Sequence, residues 1–215
     1  MSKSFREQYE NYWKNLDWHL ASMLKNSHYA LHWAMALKPK SILEVGAGTG
    51  RMSILLKRLL PETKVVVLDI DPEVCAGIRK SVEVSGTTIE VLEADLLSLP
   101  FPDGSFDLCH SEGVMEHFSA EKMLTGVREQ LRVARAVIVT VPLLHWFAQR
   151  RSSQGDELMW HKLQWIYRLS KVGCILDFAL LGEPLEELLI MVLMSNDETI
   201  SIPLSEDLFI KVRIP

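Results

Sequence analysis

Apolar residues in the first part of the chain recur at helical spacing. Spacings of three and four over residues 5–26 give one apolar stripe on an otherwise polar helix. A second predicted helix, 27–37, is apolar nearly all round and ends before Pro39, because the residue preceding a proline disfavours the helical region. The stripe on the first helix must be buried against something outside a sheet core. Residues 1–37 are therefore predicted to form a helical cap.

Beyond residue 38 the pattern changes to short apolar runs that alternate with helical segments. Strands are predicted at 41–45, 64–68, 88–94, 106–111, 136–141, 174–181 and 188–194, with a short tail strand within 199–213. Helices are predicted at 51–60, from Asp71 onward, at 119–131 and at 157–170. This alternation predicts a doubly wound α/β fold, with a mostly parallel sheet covered on both faces. The short turn at 182–184 predicts that the last two strands pair antiparallel.

Composition is typical of a globular protein with a sizeable core. The 215 residues are 48% hydrophobic and 24% charged, which fits one compact unit over 38–215. A net charge of -5 argues against general nucleic-acid binding, which requires a basic surface. The most apolar run, 185–194, is too short to span a bilayer, and residues 1–15 have no signal-peptide character. Three scattered cysteines favour a reducing cytoplasm.

The segment 44–50, with the sequence EVGAGTG, joins the first strand to its helix. Glycines at alternate positions let the backbone turn tightly and approach a ligand. Ligands of open parallel sheets bind outside the carboxyl ends of the strands, where helix N–H groups also attract carboxylates. The dinucleotide fingerprint does not fit, because Arg51 occupies the position of its third glycine, and a P-loop lysine is absent. From the loop alone, a purely structural turn remains an alternative.

Two acids follow at the same predicted edge of the sheet. Asp69 ends the second strand about 20 residues after the loop, where a carboxylate accepts hydrogen bonds from both ribose hydroxyls of a nucleoside. Its alternative role is a helix cap, but Asp71 before a proline fits that role better. Asp95 follows the third strand and has the position to accept from an adenine amino group, with a structural role as the alternative.

These segments resemble the motifs of a known enzyme family. Residues 42–50 resemble the first motif of the class I S-adenosylmethionine-dependent methyltransferases, and 67–72 the second. Residues 94–101 and 106–117 resemble the third and fourth. These segments resemble most those of the small-molecule branch, which includes ubiquinone and menaquinone biosynthesis methyltransferases. One departure is the segment 132–135, RVAR, where relatives carry a Lys-Pro-Gly-Gly turn.

The resemblance implies a Rossmann-like seven-stranded sheet with an antiparallel last strand, and S-adenosylmethionine as the cofactor. It implies that the glycine loop, with Glu44, holds the methionine part of the cofactor and that Asp69 binds the ribose. It also implies that Ile70 packs on the adenine and that Asp95 meets the adenine amino group. The implied cofactor-binding residues are Glu44, Gly46, Ala47, Gly48, Asp69, Ile70, Asp95, Leu96 and Ser111.

The chemistry implied is a direct displacement, for which an aligned nucleophile is often sufficient. His117, after the fourth strand, is the candidate general base, with a packing role beside the cofactor pocket as the alternative. Residues 111–114 lack the Asn/Asp-Pro-Pro-aromatic signature of amino-directed nucleobase and glutamine methyltransferases, which disfavours those substrates. The predicted acceptor is a small molecule. The alternative function is a cofactor-binding, non-catalytic partner subunit. No metal is predicted, because His28 and His32 have helical spacing but no accompanying acid.

Overall fold

The computed structural model describes residues 31–143, 160–181, 188–194, 199–205 and 208–213. Its strands in chain order are β1 (Ser41–Val45), β2 (Lys64–Asp69), β3 (Glu90–Glu93), β4 (Phe106–Glu112), β5 (Ala134–Pro142), β6 (Cys174–Leu181), β7 (Leu188–Met194), β8 (Thr199–Ser205) and β9 (Leu208–Arg213). Its helices are α1 (which includes residues 31–37), α2 (Arg51–Leu59), α3 (Pro72–Ser85), α4 (Ala120–Val133) and α5 (Lys162–Leu169), with a 3₁₀ turn at Met115–His117.

Seven strands form one sheet in the order β3-β2-β1-β4-β5-β7-β6. Neighbours from β3 to β5 pair parallel, whereas β7 pairs antiparallel with both β5 and β6. The predicted doubly wound sheet with an antiparallel last strand is therefore confirmed. The chain reverses direction along the sheet between β1 and β4, and such a switch point opens a crevice at the carboxyl ends of the strands.

Two apolar clusters cover the two faces of this sheet. On one face, α1, α2 and α3 pack buried side chains such as Trp33, Leu56 and Ile78 against Ile42 of β1. On the other, α4 and α5 contribute to a second cluster, which contains Leu43 and Val45 of the same strand. Successive residues of β1 are thus buried on opposite faces, which explains why the central strands read as continuous apolar runs.

Some boundaries differ from the predicted ones. Strand β5 begins two residues early, at Ala134, because that residue already pairs with Phe106 of β4. Strand β3 is shorter than predicted, since its pairing with β2 begins at Glu90. The single tail strand was wrong: β8 and β9 pair antiparallel as a separate two-stranded sheet.

The helix predicted over 5–26 lies outside the described residues, so the cap remains a prediction. Within α1, Trp33 is buried, and its Nε1 donates a hydrogen bond to Oδ2 of Asp177 on β6 at 3.2 Å. None of the helices in the described ranges has the length and apolar character needed to cross a membrane.

Candidate functional site

The loop between β1 and α2 has the backbone that its glycines require. Gly46, Gly48 and Gly50 have φ of 65°, 50° and 66°, in the left-handed region that favours glycine. The Ala47 N–H donates to the Leu68 carbonyl at 3.1 Å, which holds the loop against β2. A Cβ on Gly46 would lie 2.6 Å from Cγ2 of Val114, whereas one on Gly48 would meet no described atom within 4 Å. Among the described residues, Gly48 therefore faces open space.

The first turn of α2 begins directly after this loop. Its N-cap is Gly50, which has no side chain to cap it, no acid lies in the first turn, and Oε2 of Glu44 accepts from the Ser53 N–H. Helix N-termini carry unpaired N–H groups and a partial positive charge. This end of α2 is accordingly suited to an anionic group of a ligand.

Asp69 ends β2 beside the glycine loop. Its Oδ2 accepts a hydrogen bond from the Gly48 N–H at 3.2 Å, and its Oδ1 accepts from the Asp71 N–H at 3.1 Å. Asp71 caps α3 by accepting from the N–H groups of Glu73 and Val74, as predicted. The two acids therefore have separate roles: Asp71 caps α3, and Asp69 accepts a hydrogen bond from the loop.

The end of β3 adds the other residues predicted to meet adenine. The Ala94 N–H donates to the Asp69 carbonyl at 3.0 Å, which brings both strand ends together. Ile70 is 66% exposed, so an apolar surface is available there. Asp95 is exposed and accepts from the Leu97 N–H at 2.8 Å, while the Leu96 side chain is buried.

Ser111, near the end of β4, is 1% exposed, and its Oγ has no hydrogen-bond partner among the described residues. A buried hydroxyl without a partner costs free energy, so such a group is a candidate for a ligand contact. This is consistent with the role that the family resemblance implied for Ser111.

Glu44 lies under the loop and is 5% exposed. Its Oε2 accepts from the Ser53 N–H of α2 at 3.1 Å. Burial raises the pKa of Glu44 to about 7; hydrogen bonds from Ser53 lower this pKa and the Asp69 charge raises it. Nε2 of His110 lies 3.9 Å from the same Oε2, and burial lowers the pKa of His110 to about 4.

Sequence reasoning missed His110. Residue type alone gave little signal, because β4 also contains Asp107, Ser111 and Glu112. The significance of His110 depends on β4 pairing with β1, which places it opposite Glu44. Glu116 was also not singled out as a site residue, although its side chain is only 4% exposed. Its Oε1 lies 3.6 Å from the position that a Cβ on Gly113 would take.

His117 ends the 3₁₀ turn, and its side chain is exposed. The packing alternative for His117 therefore has no support from burial. In the part of the chain that the structure describes, no group of three or more His, Cys, Asp or Glu side chains is arranged to hold a metal ion. His28 lies outside that part.

Comparison with known proteins finds similarity over the region that contains the site. A sequence profile described as a methyltransferase domain matches residues 42–136, which contain the glycine loop, Asp69, Asp95 and Ser111. Residues 42–136 are thus similar to a methyltransferase domain. The domain is similar to the demethylmenaquinone methyltransferase of Thermus thermophilus, with 42% identity over 78 residues. That match covers 36% of this chain and 36% of the relative, so the chain spans about a third of its curated relatives' length.

Solved structures show the same fold around the methyltransferase domain. A protein from Pyrococcus horikoshii OT3 superposes with a TM-score of 0.71 at 17% identity, covering 82% of this chain and 91% of that one. A magnesium protoporphyrin IX methyltransferase from Synechocystis PCC 6803, crystallised with bound SAH, has a TM-score of 0.63 at 16% identity. The superposition covers 78% of this chain and 81% of that one.

Proposed function

We propose that this protein transfers a methyl group from S-adenosylmethionine to a small-molecule acceptor by direct displacement. The supporting observation is the contact between Asp69 and Gly48, whose 3.2 Å hydrogen bond joins an acidic strand end to a glycine that faces open space. This contact lies beside the switch point of the sheet, where nucleoside ligands bind in such folds.

The residues present fit the cofactor. A carboxylate has about four acceptor sites, and Asp69 uses two of them, so two remain for the ribose hydroxyls. The N-terminus of α2 suits the methionine carboxylate, the exposed Ile70 suits a face of the adenine, and the Ser111 hydroxyl lacks a partner among the described residues. The cofactor, when bound, supplies an activated methyl group, and the protein's residues bind it and align the acceptor.

The relatives support the small-molecule acceptor, since one is named a demethylmenaquinone methyltransferase. We also propose that the protein acts in the cytoplasm. That location is consistent with three free cysteines, Cys75, Cys109 and Cys174.

Calorimetry with S-adenosylmethionine and S-adenosylhomocysteine tests the binding step. Methyl-labelled S-adenosylmethionine, incubated with the protein and a small-metabolite extract, then tests transfer, and we expect label in a small-molecule product. Binding without transfer would instead support the alternative, a non-catalytic partner subunit. Failure of both ligands to bind would contradict either function.

We further propose His117 as the general base. His117→Ala is expected to lower turnover roughly 10²–10⁴-fold with little change in cofactor affinity. Near-normal turnover in this variant would remove His117 from the mechanism and leave the acceptor to be aligned without it.

A further inference from the structure

A buried acid–imidazole pair lies beneath the glycine loop. Parallel pairing sets Glu44 of β1 opposite His110 of β4, so both side chains point to the same face of the sheet. Each residue is 5% exposed. Nε2 of His110 lies 3.9 Å from Oε2 of Glu44 and has no hydrogen-bond partner among the described residues. A movement of about 1 Å would bring the two atoms to ordinary hydrogen-bond distance.

The chemistry of this imidazole fits either form of the acid. Burial lowers the pKa of His110 to about 4, so the ring is neutral near pH 7. A neutral imidazole nitrogen donates or accepts a hydrogen bond according to its tautomer. It can accept from a protonated Glu44 and donate to an ionised one. Because burial raises the pKa of Glu44 to about 7, both forms of Glu44 are populated near neutral pH.

Two acids shift the pKa values of this pair. Asp69, at the end of β2, raises the pKa of Glu44. Glu112, two residues further along β4, raises the pKa of His110. The pKa of Cys109 is well above its ordinary value, because of burial and the Glu44 charge, so this thiol is protonated.

The Glu44 carboxyl group connects this pair to the binding loop. Its Oε2 holds the Ser53 N–H, which belongs to the first turn of α2, three residues after Gly50. A hydrogen bond to an ionised carboxylate is shorter and stronger than one to a neutral carboxyl group. The ionised form therefore holds the first turn of α2 more firmly, and its negative charge attracts a cationic ligand across a poorly screened interior.

We propose that His110 is a positioning residue that acts through Glu44, and that the pair couples loss of one proton to the binding of cationic S-adenosylmethionine. This rests on the proposed function. The proton leaves the Glu44 carboxyl group for solvent, and His110 changes tautomer to donate to the carboxylate that remains. The imidazole itself carries no net charge before or after the step.

Calorimetry of S-adenosylmethionine binding between pH 6 and 8, in buffers with different ionisation enthalpies, tests this coupling. With one carboxyl group of pKa near 7 that must ionise, affinity is expected to be about tenfold higher at pH 8 than at pH 6. Most of one proton should be released per ligand at pH 6. Glu44→Gln is the matched control, because it removes the ionisation of Glu44 and keeps the ligand's own ionisations. The affinity of this variant should no longer rise tenfold between pH 6 and pH 8.

Two variants test His110 itself. His110→Phe cannot donate to the carboxylate, so the midpoint of the affinity profile should shift to higher pH. His110→Gln, whose amide donates and accepts, should restore the wild-type midpoint. A merely structural His110 would change thermal stability and leave that midpoint unmoved, which would overturn the proposal.

Should either variant fail to fold, the wild-type protein alone still tests the coupling between proton loss and binding. Affinity that is flat from pH 6 to 8, with no proton release, would overturn the coupling while leaving the methyltransferase function intact. Absence of binding at every pH would contradict the proposed function instead.

Discussion

Asp69 is the residue on which the proposed nucleoside site depends most. Asp69→Ala removes a charged acceptor for both ribose hydroxyls, and bonds to charged groups are worth about 1.5–3 kcal/mol each. We expect affinity for S-adenosylmethionine and S-adenosylhomocysteine to fall together by about 2–4 kcal/mol, roughly 30- to 1,000-fold. Both ligands should lose the same amount of affinity, because they share the ribose. Calorimetry on the folded variant measures this.

Asp71 provides the matched control for Asp69, since it lies two residues away and caps α3. Asp71→Ala should lower the free energy of unfolding by about 1 kcal/mol and leave both affinities within about twofold. Asp69→Asn should lie between wild type and Asp69→Ala, because an amide oxygen still accepts a hydrogen bond. Unchanged affinities in Asp69→Ala would remove the nucleoside site from this edge of the sheet.

Gly46 and Gly48 differ in what surrounds them, although both have positive φ. An alanine at either position costs about 1–2 kcal/mol in backbone strain. At Gly46 the added Cβ also meets Val114 at 2.6 Å, so Gly46→Ala should destabilise folding clearly more than Gly48→Ala. At Gly48 the methyl group enters open space, so ligand affinity should fall instead.

Urea unfolding and a double-mutant cycle separate these effects. Val114→Ala removes the two clashing methyl groups and leaves the Cβ at 3.3 Å, so in that background Gly46→Ala should cost little beyond the backbone strain. Equal costs with and without Val114 would show that the loop accommodates the contact. Wild-type affinity in Gly48→Ala would show that the open space is not occupied by the ligand.

At the scale of elements, Arg132 holds the segment between β3 and β4. The guanidinium, at the end of α4, bonds both carboxylate oxygens of Glu129 at 2.7 and 2.8 Å. It also donates to the carbonyls of Leu99 and Phe101 and to Asp103. This one side chain connects a helix end to a loop that has no regular structure of its own between 94 and 105.

Arg132→Met should therefore lower the free energy of unfolding by about 2 kcal/mol, because two carbonyls and two carboxylates lose a charged donor. Arg128→Met, at an exposed position on the same helix, is the matched control and should change stability by less than about 0.5 kcal/mol. Urea unfolding measures both. Equal effects would mean that the Arg132 bonds contribute no more than an exposed side chain does.

The same helix end shows why one boundary could not be predicted. The predicted helix ends at 131 and the predicted strand begins at 136, yet α4 ends at Val133 and β5 begins at Ala134. Contacts outside the segment explain the difference: Arg132 bonds the loop before β4, and Ala134 pairs with Phe106 of β4. These partners are distant in sequence, so local pattern does not reveal them.

For the molecule as a whole, alternation of apolar runs with amphipathic segments was enough to predict the sheet and its antiparallel end. The positions of the glycine loop, Asp69 and Asp95 followed from where strands end. The Glu44–His110 pair did not, because it depends on β1 and β4 being neighbours although 66 residues separate the two side chains. The strand order that creates this neighbourhood is a property of the complete sheet.

That pair should also be visible in the pH dependence of global stability. Glu44 has a folded-state pKa of about 7, raised by burial from an ordinary 4.5, so its contribution is complete below pH 4.5 and is lost as pH rises through 7. His110 has a folded-state pKa of about 4, lowered by burial from 6.5, so its contribution is complete above pH 6.5 and is lost as pH falls through 4. Between pH 5 and 8 the two effects oppose each other.

Removing either member should expose the effect of the other. When the pH rises from 5 to 8, the free energy of unfolding of Glu44→Gln should increase, relative to wild type, by on the order of 2 kcal/mol. That of His110→Gln should decrease by a similar amount. Both follow because each shift of one pKa unit corresponds to about 1.4 kcal/mol. All other groups titrate alike in the three proteins, so their contributions cancel in the comparison. Urea unfolding at both pH values measures the changes. Three parallel pH profiles would mean that these side chains titrate in the folded protein as they do in the unfolded chain, whereas profiles that diverge in opposite directions require both groups to be held out of water beneath the loop.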